Sequence, residues 1–353
     1  MLQVILICKS SGVGVKKFCD SLAQVLNHYK HIKARVLAVN SITNLLSSLK
    51  ALSNKREKII IHANYATLAL ISSKVLGFPI LYTSHGIPQP FLENTSLSRL
   101  SYRAELRSIN LLKKCPVRLI TVSKYVSRML SKYFRLKPDK TIYNGVDHNF
   151  FYPPHDKTSV KRNIGLITDR VILLNIGRLN NYKNQKILLN SIFHLNKSLC
   201  KKILLVFIGK GPLERDLRKM AKLVEKAKNV KIIFLQNLSE DSIRLIYQSA
   251  DLYIHTTINE MFGLSLVEAM SSGLPVIAST GGAVKEILGV KYDFYFEPYD
   301  HEKLSSLIEL LINNPDLREQ CSRHCYVRSL NFDWRKTAYE YLKEYMRILD
   351  FKC

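Results

Sequence analysis

An α/β protein built from two Rossmann-like, doubly wound parallel-sheet domains is what this chain predicts, on three observations. Its 353 residues exceed the size at which one hydrophobic core usually stops growing, so two domains are expected. Short apolar runs alternate with helical patterns along nearly the whole length, as in strand-helix-strand units. The runs fall into two series, separated by a proline-containing polar stretch after Tyr152. With 47% hydrophobic and 23% charged residues, the chain can fill two cores and does not resemble a disordered one.

The first series comprises residues 4–8, 34–39, 58–62, 79–83 and 118–122, each expected as a parallel strand. The second comprises 170–175, 202–208, 230–235, 252–255 and 276–278. Tyr152 to Asp156, with the polar residues up to Gly165, read as a linker. Near the C-terminus, Trp334, Ala338, Tyr341, Leu342 and Tyr345 recur at three- and four-residue steps, hence an amphipathic helix. The expected domains are 1–160 and 161–331, with a helix at 332–353 packing back toward the first. No tandem repeat and no low-complexity segment interrupts this order.

The apolar run at residues 2–8 is short, follows no charged segment and leads into a glycine loop. It is expected as strand one and not as a signal peptide. No apolar stretch approaches the ~20 residues that span a bilayer, so a protein that is soluble or lies on a membrane surface is expected. Seven cysteines are scattered without a Cys-x-x-Cys, which argues against a disulfide framework and for a reducing, cytoplasmic compartment. Cys321, His324 and Cys325 sit at helical spacing, but no second ligand pair accompanies them, so structural zinc is not expected.

Charge is abundant and uneven. The net charge is +25, and residues 1–150 hold 23 Lys/Arg against 6 Asp/Glu, while 151–353 hold 30 against 22. The first half is therefore expected to face something anionic. Within it, Leu97, Leu100, Leu106, Leu111 and Leu112 mingle with Arg99, Arg103, Arg107, Lys113 and Lys114, which suits a membrane headgroup surface. A solvated helix whose leucines pack inward shows the same pattern. A nucleic-acid-binding protein can carry an equal charge, but here the charges are dispersed and no recognised binding module appears, so that partner is not expected.

The chemistry concentrates between Asn259 and Glu286. Glu260 precedes Phe262, Gly263 and Leu264, and Glu268 lies inside the apolar pattern of Leu264, Leu266, Val267, Ala269 and Met270, which reads as a buried helix. Helical side chains tilt toward the N-terminus, so Glu268 can reach back toward the helix end that Glu260 guards. That end also presents unpaired N–H groups and the positive pole of the dipole, which suits a phosphate. One carboxylate for each of two hydroxyl-bearing groups, with a diphosphate between, is what a nucleotide-sugar site needs. Taken alone, the pair is also what an ordinary helix with a surface glutamate shows.

Glu260, Phe262-Gly263-Leu264, Glu268-Ala269 and Gly273-Leu274-Pro275-Val276-Ile277-Ala278 together resemble the signature of retaining glycosyltransferase family 4, the group 1 glycosyltransferases. The resemblance implies the GT-B fold, two such domains facing across a cleft, with an acceptor domain first and a nucleotide-sugar domain second. Gly177-Arg178-Leu179 followed by Lys183 matches the motif whose Arg178 and Lys183 neutralise the donor diphosphate. A departing nucleoside diphosphate gains negative charge, and preorganised cations lower that barrier. Arg supplies a planar fork and Lys a mobile point charge.

The resemblance further assigns Glu260 to the donor sugar hydroxyls, Glu268 to the ribose and His85, in Ser84-His85-Gly86, to the transferred sugar. By position alone His85 can also be read as a buried histidine satisfied by backbone. Gly12 and Gly14 fall in the turn after strand one, and Gly209 in a Gly-x-Gly-Pro turn, both places where the family's backbone approaches ligand. Gly12 and Gly14 lack the third glycine of a nicotinamide fingerprint, since Lys17 stands there. No Asp-x-Asp occurs in the chain, so neither a metal nor another cofactor is expected. Where the family usually has a glycine after a Phe-Leu, this chain has Gln236 and Asn237. The expected partners are a nucleotide-sugar donor, a glycan or lipid-linked acceptor and an anionic membrane surface. A phosphorylase or an inactive relative would share this scaffold.

Overall fold

A computed structural model of the chain describes residues 1–10, 13–53, 58–87, 96–165 and 169–350. Gly12, in the first glycine turn, lies outside these residues, as do the side chains of Leu97, Arg99 and Leu100. The chain divides into two compact units, Met1–Gly145 with Phe332–Cys353, and Val146–Asn331.

In the first unit the strands are β1 (Leu2–Lys9), β2 (Ile32–Val39), β3 (Lys58–Ala63), β4 (Ile80–Ser84), β5 (Val117–Thr121) and β6 (Lys140–Thr141). They form one parallel sheet in the order β2-β1-β3-β4-β5-β6. Between them run α1 (Val13–Leu26), α2 (Ile42–Ser53), α3 (Ala66–Leu76), α4 (Ser96–Leu111) and α5 (Lys124–Phe134). Seven consecutive residues of β1, from Leu2 to Cys8, are buried, because helices cover both faces of a parallel sheet and no alternation survives. Ser123 caps α5 by accepting from the Val126 N–H at 3.1 Å. Glu105 on α4 is buried and caps α3, accepting from Ala66 N at 2.5 Å and Thr67 Oγ1 at 2.7 Å.

The second unit holds α6 (Lys157–Asn163), β7 (Val171–Ile176), α7 (Gln185–His194), α8 (Lys197–Cys200), β8 (Ile203–Ile208), α9 (Glu214–Lys228), β9 (Lys231–Leu235) and α10 (Glu240–Ser249). It continues through β10 (Leu252–His255), α11 (Leu264–Ser271), β11 (Val276–Ser279), α12 (Val284–Leu288), β12 (Tyr295–Phe296), α13 (His301–Asn313) and α14 (Pro315–Ser329). Its strands are again parallel, in the order β12-β11-β10-β7-β8-β9. The strand order reverses between β7 and β10, and the crevice beyond the C-terminal ends of strands at such a point is where open α/β sheets bind ligands.

Both sheets match the α/β GT-B expectation, and the ten strands read from the sequence are present within one or two residues. The polar stretch expected as linker differs: it carries α6, capped by the Asp156 side chain, with Lys157 and Lys161 each 3.2 Å from Asp251. Two-residue strands β6 and β12 add the sheet edges. The final helix, α15 (Trp334–Asp350), buries Trp334, Ala338, Tyr341 and Tyr345 within the first unit, where it packs on α1 and β4. Its start lies against Gly145, where a Cβ would collide with the backbone of Trp334.

Among the described residues, no helix is long and apolar enough to cross a membrane. The described cysteines are all free. Cys321 and Cys325 face the Tyr292 hydroxyl at 2.9 and 3.6 Å, while His324 Nε2 lies 2.9 Å from the Leu288 carbonyl.

Candidate active site

The loops after β7 and β10 meet at the reversal point of the second sheet. After β7 the chain turns through Gly177 to Lys183, and Asn180 holds that turn by accepting from the Lys183 N–H at 3.0 Å. After β10, Thr256 Oγ1 donates to the Lys183 carbonyl at 2.6 Å, and the Ile258 N–H donates to the Tyr182 carbonyl at 3.0 Å. Asn175 ties the strands beneath, its Nδ2 donating to Ile254 O at 2.7 Å. Lys183 is therefore fixed at its backbone, and its stem passes over Gly177.

Lys183 Nζ donates to Glu260 Oε2 at 2.7 Å, and His255 Nε2 stands 3.1 Å from the same oxygen, off the line of a well-formed hydrogen bond. Glu260 Oε1 accepts from the Met261 N–H at 3.2 Å. Burial pushes the Glu260 carboxyl up, but the Lys183 ammonium and the His255 ring outweigh it and hold it well below the usual carboxylate range. Burial drives His255 the other way, so its imidazole is kept neutral against the pull of Glu260. The result is a buried, ionised carboxylate paired with a partly exposed ammonium.

Backbone geometry holds Glu260 as firmly as its side-chain partners do. The Glu260 N–H donates to Gly281 O at 3.2 Å, and Ala283 N donates to Glu260 O at 2.7 Å, a bridge that sets Glu260 beside Gly282. Gly282 has φ +75°, and a Cβ there would run into the Glu260 backbone. Gly263, at φ +94°, turns the chain into α11 with its would-be Cβ 3.1 Å from Glu260 Cγ. Phe262 is buried beneath the turn, and Leu264 opens the helix. Glu268, 7% exposed, accepts from the Tyr247 hydroxyl at 3.1 Å.

Gly209 follows β8 at φ +144°, where a side chain would meet the Gly177 carbonyl. The two turns are thus packed backbone on backbone, with the Leu179 N–H donating to Lys210 O at 2.9 Å. Arg178 lies on this shared rim with its side chain exposed, and its carbonyl accepts from Gln185 Nε2 at 3.1 Å. Asn237, in the turn after β9, adopts φ +54° without being glycine. The second unit accordingly brings together Lys183, Glu260, Phe262, Gly263 and Leu264, and places the Gly209 turn beside the Gly177–Arg178 turn.

His85 and Gly14 belong to the first unit. His85 follows β4, with Nε2 2.8 Å from Asn64 Oδ1 and its ring against Phe18 at 4.7 Å. Gly14 is the second residue of α1, with nothing within 4 Å of a would-be Cβ. Four residues of these surroundings escaped sequence reading: His255, hidden as the last residue of a buried strand, the Gly281–Gly282 pair, and Asn64. For the glycines a signal existed, since a Gly-Gly after a strand marks a close backbone approach.

A family model described as glycosyl transferases group 1 matches residues 156–327, and one described as glycosyltransferase family 4 matches residues 20–150. A sulfoquinovosyl transferase of Arabidopsis thaliana is 27% identical over 171 residues, 47% of this chain and 31% of that protein. An alpha-monoglucosyldiacylglycerol synthase of Streptococcus pneumoniae is 25% identical over 264 residues, 71% of this chain and 58% of that one. The chain thus matches less than two thirds of the length of either relative. Among solved structures, Anabaena HepE in complex with UDP and glucose superposes with a TM-score of 0.78 at 19% identity, covering 98% of this chain and 100% of that one. With its two six-stranded parallel sheets of GT-B type, the chain belongs to the group 1, family 4 glycosyltransferases.

Proposed function

We propose that the protein is a retaining glycosyltransferase that moves a hexosyl group from a nucleotide-sugar donor to a hydroxyl of a glycan or lipid-linked acceptor. The observation that carries this reading is the Lys183–Glu260 pair, 2.7 Å apart, beside the N-terminus of α11. A buried carboxylate held ionised accepts hydrogen bonds from sugar hydroxyls, while the ammonium beside it and the helix N–H groups receive a diphosphate. Arg178 adds a second cation on the same rim, and Glu268, one turn into α11, takes the ribose hydroxyls. The Gly209 turn brings backbone close to the diphosphate, and the Gly12–Gly14 turn to donor or acceptor. His85 contacts the transferred sugar.

In the reaction, the bond from the anomeric carbon to the diphosphate oxygen breaks as the acceptor oxygen bonds that carbon on the same face. The acceptor proton passes to the leaving phosphate oxygen, so no side-chain nucleophile is required. Lys183 and Arg178 balance the charge that develops on the leaving group, with no step assigned to a metal. The relative from Streptococcus pneumoniae and the UDP-bound Anabaena structure support a lipid-linked acceptor and a uridine nucleotide among the candidates to test first.

Glu260→Ala and Lys183→Ala should each lower transfer by orders of magnitude without unfolding the protein. The assay is sugar transfer and donor hydrolysis with UDP-, GDP- and ADP-sugars, the retained anomer being read by NMR of the product. Near-normal turnover in either variant would refute these roles. A protein that hydrolyses no donor yet shifts DNA or RNA in a salt-sensitive manner would be a nucleic-acid binder instead. One that releases sugar phosphate from a glycan with inorganic phosphate would be a phosphorylase.

A further inference from the structure

Asn64 follows β3, is 3% exposed, and its amide can be oriented from its neighbours. Nδ2 lies 3.2 Å from the Ile7 carbonyl and 3.3 Å from the His62 carbonyl, with Cys19 Sγ at 3.2 Å. Backbone carbonyls only accept, so this atom must be the amide nitrogen. The remaining atom, Oδ1, only accepts as well, and it sits 2.8 Å from His85 Nε2. His85 Nε2 therefore carries a hydrogen. A neutral imidazole has one such hydrogen, which leaves Nδ1 as an acceptor.

We propose that Asn64 is a positioning residue that fixes His85 as the neutral Nε2–H tautomer, so that Nδ1 accepts from a hydroxyl of the transferred sugar and disfavours a carboxylate or sulfonate in its place. This rests on His85 meeting the donor sugar, as the proposed function has it. A lone pair facing an anionic oxygen is repelled, whereas a hydroxyl can turn its hydrogen toward it. A neutral hexosyl donor is thereby selected over a uronosyl or sulfonated one.

The surroundings keep the imidazole uncharged. Burial pushes His85 down to about 3. The titratable groups that neighbour it through Phe18 and Asn64 are also neutral near pH 7: His62 is depressed by burial, and Tyr341 is raised by it. The Cys19 thiol is raised by its contact with Cys8 and by burial. A second layer fixes the strands that carry the pair. His62 is held between the Tyr345 hydroxyl at 2.7 Å and Thr83 Oγ1 at 2.8 Å, and Thr83 meets the Tyr341 hydroxyl at 3.0 Å. His62 stands two residues before Asn64, and Thr83 two before His85.

Two-bond proton–nitrogen NMR of the wild-type protein reads the tautomer without any substitution, His85 being assigned by its absence in His85→Gln. The expected spectrum has a protonated Nε2 and an unprotonated Nδ1, with no titration between pH 5 and 8. Asn64→Asp keeps an acceptor for Nε2–H but places a carboxylate there, so His85 should titrate inside that window and an acid limb should appear in kcat/KM. Its preference for hexosyl over uronosyl donors should fall at least tenfold at the acid end. An Nδ1–H tautomer, a wild-type His85 titrating near neutrality, or a wild type using uronosyl donors as well as hexosyl ones overturns the proposal. Should no nucleotide sugar be turned over, the proposed function fails while the spectrum still decides the tautomer.

Discussion

At the residue scale, Glu260 has to stay ionised in a place that disfavours charge, and Lys183 is the partner that makes this possible. A carboxyl held below its ordinary value of 4.5 contributes stability that is fully present above that value and is lost as pH falls toward the folded-state one. Replacing Lys183 by Met removes the largest of the lowering influences and leaves burial pushing the carboxyl up. The variant should therefore be less stable than wild type near pH 7, with the gap narrowing as pH falls and the buried carboxyl is protonated, a convergence visible in unfolding midpoints measured from pH 7 to pH 4. Parallel curves would mean that another group keeps Glu260 charged. The Glu260, Phe262, Gly263 and Lys183 placements could be read from the sequence because each belongs to a dense local motif. His255 could not, since the last residue of a buried strand is indistinguishable from a core histidine until the loop after it is seen to fold back.

At the element scale, the strands were legible because parallel strands covered on both faces read as continuous apolar runs. Strands β6 and β12 were not, because two residues carry no periodicity and pair only through what lies beside them. The helix α6 was missed for a related reason: its exposed polar sequence resembles a linker, and its attachment is the distant Asp251. The glycines separate structural from ligand roles at this scale. Gly282→Ala would drive a Cβ into the Glu260 backbone at a positive φ, so it should cost at least about 2 kcal/mol and lower transfer about a hundredfold. Gly14 is different, since α1 has open space around it. Gly14→Ala should raise stability by about 0.5–1 kcal/mol through helix propensity. If this turn approaches a ligand as proposed, transfer should fall at least tenfold in the same variant. Denaturant melts beside transfer rates would separate the two effects, and a Gly14→Ala protein with full activity would leave that glycine without a ligand role at the start of α1.

At the scale of the whole molecule, the excess positive charge of residues 1–150 is the feature that the sugar chemistry does not use. The described part of α4 and the turn after it show how such charge can be presented. Glu105, Ser108, Ile109 and Leu112 face inward, while Arg103, Arg107, Lys113 and Lys114 are exposed and Leu111 is 45% exposed. The sequence left open whether the leucines here pack inward or meet lipid, and the fold divides them: Leu112 is buried, Leu106 half-buried and Leu111 outward. A cationic surface with an exposed leucine suits an anionic bilayer, each cation near the surface contributing about 1 kcal/mol at physiological ionic strength. Because none of these four cations lies near Glu260 in the sequence or takes part in the proposed chemistry, they can be changed together. Replacing Arg103, Arg107, Lys113 and Lys114 by Gln should weaken cosedimentation with phosphatidylserine-containing vesicles at least a hundredfold. Donor hydrolysis in solution should stay within about twofold. Wild-type binding should fall steeply as salt shortens the Debye length from about 10 Å at 0.1 M to about 3 Å at 1 M. Cosedimentation indifferent to acidic lipid, to salt and to the four substitutions would remove the membrane from this account and leave a freely diffusing anionic acceptor as the partner of the basic unit.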